Sequence, residues 1–140
     1  MLKILHHIGV AVRDLDASRR FYVERLKMKI VFDELAPNGD VWVVGLAPQQ
    51  GGALVELLAG VKEPNPLTKF LEAHGEAIHH VAYEVDDIEA AIAQCQALGF
   101  RMLDEKPRPG AHKSRIAFIS PKSTGGILSE LVEPAKHVRA

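Results

Sequence analysis

Two imidazoles and two carboxylates recur at matched spacing in this chain of 140 residues: His7 precedes Glu56 by 49 positions, and His80 precedes Glu130 by 50. On their strand faces Glu56 sits between Leu54 and Leu58, and Glu130 between Leu128 and Val132. A carboxylate bracketed by apolar residues is costly to bury unless it is paired or bound to a cation. Two nitrogen and two oxygen donors suit a divalent ion such as cobalt, manganese, iron, nickel or zinc, with further coordination positions open to water or substrate. The single cysteine, Cys95, offers no thiolate set to bias that choice and excludes an intramolecular disulfide framework. Its neighbours Ala91, Ile92 and Leu98 place it on the apolar side of a helix, as an inert core thiol.

The elements that must position these four residues come from an internal repeat. The segment HHIGVAVRDLDA, starting at His6, matches HHVAYEVDDIEA, starting at His79. Each opens with alternating apolar positions, the signature of a strand. Ile8, Val10 and Val12, like Val81, Tyr83 and Val85, are expected to face a core, while His7, Gly9 and Ala11, like His80, Ala82 and Glu84, face a ligand. Asp14 and Asp87 are suitable N-caps for helices over Leu15–Leu26 and Ile88–Leu98. The first helix would bury Leu15, Phe21, Tyr22 and Leu26, and the second Ile88, Ala91, Ile92, Cys95 and Leu98. Strands follow at Lys29–Glu34, Val41–Leu46 and Ala53–Leu58, and again at Arg101–Glu105, Arg115–Ile119 and Ile127–Val132.

The pattern therefore predicts one α+β domain over residues 1–140, made of two tandem βαβββ modules, 1–59 and 77–134. A connector over 60–76 carries Pro64, Pro66 and a short helix, Leu67–His74. The two modules together would form a curved, cup-shaped mixed sheet with helices on the outside. His6 and His79 would point away from the cup, and His74 and His137 lie in segments expected to be exposed. His112 reads equally as a loop residue or a substrate contact.

With 17 basic and 18 acidic residues mixed along the chain and a formal charge of -1, nothing attracts nucleic acid or an anionic membrane surface in general. No apolar run approaches the ~20 residues a membrane span needs, and the first residues enter a strand pattern without a signal core, so the cytoplasm is the expected compartment.

The paired modules resemble the vicinal oxygen chelate superfamily, which includes glyoxalase I, extradiol dioxygenases and the fosfomycin and bleomycin resistance proteins. Within it the chain is most similar to the methylmalonyl-CoA epimerase family. The segments that carry the likeness are HIGVAVRDLDAS, the VELL around Glu56, NPLTKFLEAHGEAIHHVAYEVDDIEAA, DEKPRPGAH, IAFISPKSTGG and the final ELVE. The resemblance places the family's metal ligands on His7, Glu56, His80 and Glu130, and implies a divalent ion, cobalt first, with manganese, nickel, zinc or iron as alternatives. It further implies a homodimer acting on an acyl-CoA ester, and epimerisation through an enolate served by an acid/base group on each face. One such group would be Glu130. The other falls in the loop LAPNGDV, where Pro37 or Asn38 replaces the family's glutamate, so that Asp40 or Glu34 would have to substitute. Lys27 stands where the second module has Gly99 and the family has glycine. Coenzyme A phosphates would meet Lys106, Arg108, Lys113, Arg115, Lys122 and Ser123 near the mouth of the cup, with Thr124, Gly125 and Gly126 completing that turn. Other chemistries in the superfamily are a glyoxalase-like isomerase, an extradiol-type dioxygenase, and a metal-free protein that sequesters a small molecule.

Overall fold

The structure, a computed structural model, describes residues 1–136; His137 lies outside the described residues. Its elements run β1 (Leu5–Ala11), α1 (Leu15–Arg20), β2 (Lys29–Leu35), β3 (Val41–Ala47), β4 (Leu54–Gly60), α2 (Thr68–His74), β5 (Ala77–Glu84), α3 (Ile88–Ala97), β6 (Arg108–Pro109), β7 (Arg115–Ile119) and β8 (Ser129–Glu133). The class is the expected α+β, with βαβββ order in each half. The described residues divide into two compact units, residues 7–79 on one hand and residues 1–6 with 80–136 on the other.

In the first unit the strands lie in the order β2-β3-β4-β1, with β1 parallel to β4 and the other pairs antiparallel. Asp14 caps α1 as its sequence predicts, its carboxylate accepting from the Ala17 N–H at 3.0 Å. Val12, Val44, Leu46, Leu57 and Ala59 form the core, with Leu15, Tyr22, Val23 and Met28 packed against it. Two members of the expected helical stripe are not there: Phe21 is 48% and Leu26 51% exposed. The reason is a switch after Arg20 to a π-helical turn over Phe21–Arg25, closed by the Leu26 N–H bonding to Phe21 O at 3.1 Å. The wider turn rotates later side chains, so that Val23 and Met28 take the inward positions.

A second correction concerns β1. Both faces are covered, and the one bearing His7, Gly9 and Ala11 is the more enclosed, whereas Ile8 and Val10 are only half-buried. A strand in a parallel pair is commonly shielded on both sides, which the simple alternation rule does not anticipate. Beyond β4 the connector packs with this unit. Arg13 donates its guanidinium to Leu71 O at 2.8 Å and its backbone N–H to Glu76 at 2.7 Å.

The second unit repeats the plan as β5-β8-β7-β6, with β5 parallel to β8 and the remaining pairs antiparallel. The first residues of the chain belong to it: Lys3 N–H bonds to Glu84 O and Glu84 N–H to Ile4 O, each at 2.9 Å. Asp87 caps α3 through the Ala90 N–H at 3.1 Å. Ile88, Ala91, Ile92 and Cys95 pack on Val85, Met102, Ala117, Ile119 and Leu131. Burial pushes the Cys95 thiol up, in keeping with an inert core cysteine. Leu98, by contrast, is 67% exposed, because it is the C-cap residue rather than part of the buried stripe.

The strand predicted over Arg101–Glu105 does not form. Met102 alone bridges to Ile119, and the two-residue β6 comes later, at Arg108–Pro109. Asp and Pro are poor strand residues, and here the Asp104 carboxylate takes the place of a ladder partner. It accepts from the Phe118 N–H at 2.9 Å, while Phe118 O accepts from Leu103 N–H at 2.9 Å and Asp104 N–H at 3.3 Å. Among the described residues no helix is long and apolar enough to cross a membrane.

Candidate metal centre

Each unit holds one imidazole beside one carboxylate. In the first, His7 Nδ1 lies 3.1 Å from a Glu56 oxygen; in the second, His80 Nε2 lies 3.5 Å from Glu130 Oε1. The register explains both. Gly9 is the partner of Glu56 across β1 and β4, and Ala82 the partner of Glu130 across β5 and β8, so each glutamate faces the residue two positions after its histidine. Side chains two apart share a strand face, which brings imidazole and carboxylate together diagonally. A small residue at the directly opposed position leaves that diagonal open.

All four side chains are withdrawn from water, with His7 3%, Glu56 7%, His80 5% and Glu130 4% exposed. Buried carboxylates and imidazoles at this density serve one another as hydrogen-bonding partners or serve a cation. Their donor chemistry, nitrogen and oxygen without thiolate, fits a first-row divalent ion.

Aromatic rings flank both pairs, and the sequence alone did not mark them. Phe118 is the register partner of Glu130, and its ring meets the His80 imidazole edge to face at 5.4 Å. Gly45 holds the corresponding place beside Glu56 in the first unit. There the ring comes from Phe32, the cross-strand neighbour of Gly45, and it fills the space a side chain at 45 would need. Position 45 lies 73 residues before 118, the same interval that separates His7 from His80, so the repeat did contain the signal.

The other residues singled out from sequence are spread more widely. Asp40 is half-buried in the turn just before β3, where its backbone N–H bonds to the Asn38 side chain at 3.1 Å and its carbonyl accepts from Val61 N–H at 3.0 Å. Glu34 lies in β2 opposite Val43. Lys106, Lys113 and Lys122 are exposed. Arg108 donates to Asp104 at 3.1 Å and lies over the Phe118 ring at 5.6 Å. Arg115 is held between Glu89 at 2.5 Å and Glu133 at 3.4 Å. Ser123 Oγ accepts from Arg101 N–H at 2.9 Å. His112 and Lys113 occupy the left-handed region, with φ of 57° and 59°. Phe70 packs against both His74 and His79, with ring centroids 4.8 Å apart in each case.

Paired βαβββ modules, each with a histidine on its first strand and a glutamate on its last, define a class of protein. A family model for the Glyoxalase/Bleomycin resistance protein/Dioxygenase superfamily matches residues 6–118, and the chain belongs to that superfamily. An ethylmalonyl-CoA/methylmalonyl-CoA epimerase from Cereibacter sphaeroides is 34% identical over 94% of this chain and 98% of its own length. Among solved structures, methylmalonyl-CoA epimerase from Mycobacterium tuberculosis superposes with a TM-score of 0.92 at 36% identity, covering 98% of this chain and 91% of that one. A variant of the Streptomyces coelicolor methylmalonyl-CoA epimerase in complex with 2-nitronate-propionyl-CoA gives 0.89 at 33% identity, covering 97% of both chains. Likeness of that extent sets the chain among the methylmalonyl-CoA epimerase-like isomerases of the superfamily.

Proposed function

We propose that this chain is a metal-dependent epimerase interconverting the stereoisomers of methylmalonyl-CoA, in which His7, Glu56, His80 and Glu130 hold one divalent ion. The observation that carries this reading is the buried imidazole–carboxylate pair repeated at the same register in both modules. It is joined by the likeness to epimerases along almost the whole chain. Two nitrogen and two oxygen donors fit cobalt, with manganese, nickel, zinc or iron served by the same set. Held by these four residues, such an ion would supply Lewis-acid chemistry, lowering the cost of removing the α-proton on the way to an enolate.

The chain's own residues move that proton. Glu130, buried in β8, would take it from one face and return it there. Asp40 serves the opposite face, so that one carboxylate removes a proton while the other delivers one and the centre inverts. Burial around Glu130 keeps water from competing for the planar intermediate. The exposed ammonium groups of Lys106, Lys113 and Lys122 meet the coenzyme A phosphates, with the Ser123 turn beside them. Arg108 and Arg115 join them with the guanidinium donors not engaged by their carboxylate partners. The assembly is read as a cytoplasmic homodimer.

The test is incubation of the purified protein with methylmalonyl-CoA in deuterated water, one divalent ion at a time. Deuterium should enter at the α-carbon and both stereoisomers should appear. One equivalent of bound metal without exchange would refute the epimerase reading, and protein that binds no metal would refute the metal centre.

A further inference from the structure

We propose that Asp104 is a positioning residue for the His80–Glu130 half of the centre, acting through Phe118 and Arg108 without touching the ligands itself. The inference rests on reading that half as a metal site. Its starting point is the failed strand at 101–105. β6 is only two residues long, so β7 at Phe118 lacks a neighbouring strand on its outer side. Asp104 supplies the missing contacts with both carboxylate oxygens: Oδ2 accepts the Phe118 N–H at 2.9 Å and Oδ1 accepts Arg108 Nε at 3.1 Å.

Those bonds fix how Phe118 stands toward its inner neighbour. Its N–H and its carbonyl both point outward, to residues 103 and 104. Opposite Glu130 it is therefore a non-hydrogen-bonded antiparallel pair, the kind in which Cα atoms approach to about 4.5 Å and side chains lie closest. The ring that results stands perpendicular to the His80 imidazole, at 89° and 5.4 Å between centroids. Arg108, tethered by the same carboxylate, lies over the ring at 5.6 Å. One carboxylate thus holds the backbone beneath the ring and the cation above it, and the ring sets the plane of the imidazole. Groups behind a metal ligand that fix its orientation commonly change metal affinity 10- to 100-fold when removed.

In the first module the matching strand position is Gly45, and the ring laid over it comes from Phe32. Phe118 departs from that arrangement by springing from the strand next to Glu130, where a weak outer edge would let it drift. The carboxylate clamp is what that edge requires.

The experiment is a double-mutant cycle read by cobalt(II) titration, using the visible absorption of the bound ion, together with the His80 ring resonances of the metal-free protein. Asp104→Ala should weaken cobalt binding about tenfold and shift or broaden the His80 signals. Adding it to Phe118→Leu should weaken binding no further than Phe118→Leu does alone. Asp104→Asn, which keeps an acceptor for the Phe118 N–H, should recover most of the affinity, and it also covers the case in which Asp104→Ala does not fold. Unchanged affinity and unchanged His80 resonances in Asp104→Ala would overturn the proposal, as would full additivity with Phe118→Leu. If the unaltered protein takes up no cobalt, the metal reading fails, and the His80 resonances still decide whether Asp104 positions that ring.

Discussion

The Phe32 ring lies so close over Gly45 that a Cβ at position 45 would come within 2.2 Å of it. Gly45 is also the register partner of Glu56, so the glycine admits a ring where the second module has Phe118. Gly45→Ala should displace Phe32 and cost about 1–3 kcal/mol, the usual range for overpacking. Urea unfolding of the metal-free variant measures this. A loss below about 0.5 kcal/mol would show that the ring moves aside freely.

Glu130 has two proposed duties, ligand and acid/base group, and one substitution separates them. Glu130→Gln keeps an oxygen donor but removes the proton acceptor, so α-proton exchange should fall by about 10²–10⁴-fold. Elemental analysis should still find metal. Equal loss of metal and activity would confine Glu130 to coordination.

Asp40 carries a sharper test, because only inversion needs a second group. In Asp40→Asn, exchange at the face served by Glu130 should continue with retention, while conversion between stereoisomers drops about 100-fold or more. Chiral analysis of product formed in deuterated water distinguishes the two. Unchanged interconversion would remove Asp40 from the mechanism and return attention to Glu34.

Much of this arrangement is legible in the sequence because the repeat encodes it twice. Asp14 and Asp87 each cap a helix, and His7 and His80 each sit diagonally to a glutamate, so an accident in one half is checked by the other. What escaped prediction lies where the halves differ. The π-turn at Phe21–Arg25 depends on how many residues must fit before β2, which hydrophobic spacing does not reveal. The segment 101–105 stands where the repeat calls for a strand, yet a side-chain carboxylate satisfies the backbone of Phe118 there. Exposure of Leu98 follows from its place at the helix end, one residue beyond where periodicity has meaning.

Asp33 gathers two donors of the first unit: Arg19 reaches it at 2.9 and 3.0 Å, and the Trp42 indole N–H at 2.6 Å. Burial pushes its carboxyl up, but the hydrogen bonds from Arg19 and Trp42 and the Arg19 charge outweigh that and hold it below its ordinary value of 3.8. A carboxyl lowered on folding stabilises the native state above its unfolded value and loses that contribution as pH falls through the lowered one. Asp33→Asn should therefore cost about 0.5–1 kcal/mol near neutral pH, as expected for a partly exposed pair. The cost should shrink below pH 3.8. Urea titrations at neutral and acid pH, followed by Trp42 fluorescence, would show it; a pH-independent difference would contradict the assignment.

Lys27 and Gly99 occupy the same position at the ends of their helical segments, each immediately after the C-cap residue, Leu26 in one case and Leu98 in the other. Both are left-handed, with φ of 60° at Lys27 and 86° at Gly99. For glycine that conformation is free, whereas an L-residue pays about 1–2 kcal/mol for it. Replacing Lys27 by glycine relieves the strain but loosens the unfolded chain, an opposing effect of about 0.4–1 kcal/mol. Lys27→Gly should then raise stability by about 0.5–1 kcal/mol, Lys27→Ala should leave it nearly unchanged, and Gly99→Ala should lower it by about 1–2 kcal/mol. The three variants form a single comparison in urea unfolding. Stabilisation by alanine as large as that by glycine would mean that the lysine side chain, not its backbone angle, is the source of the strain.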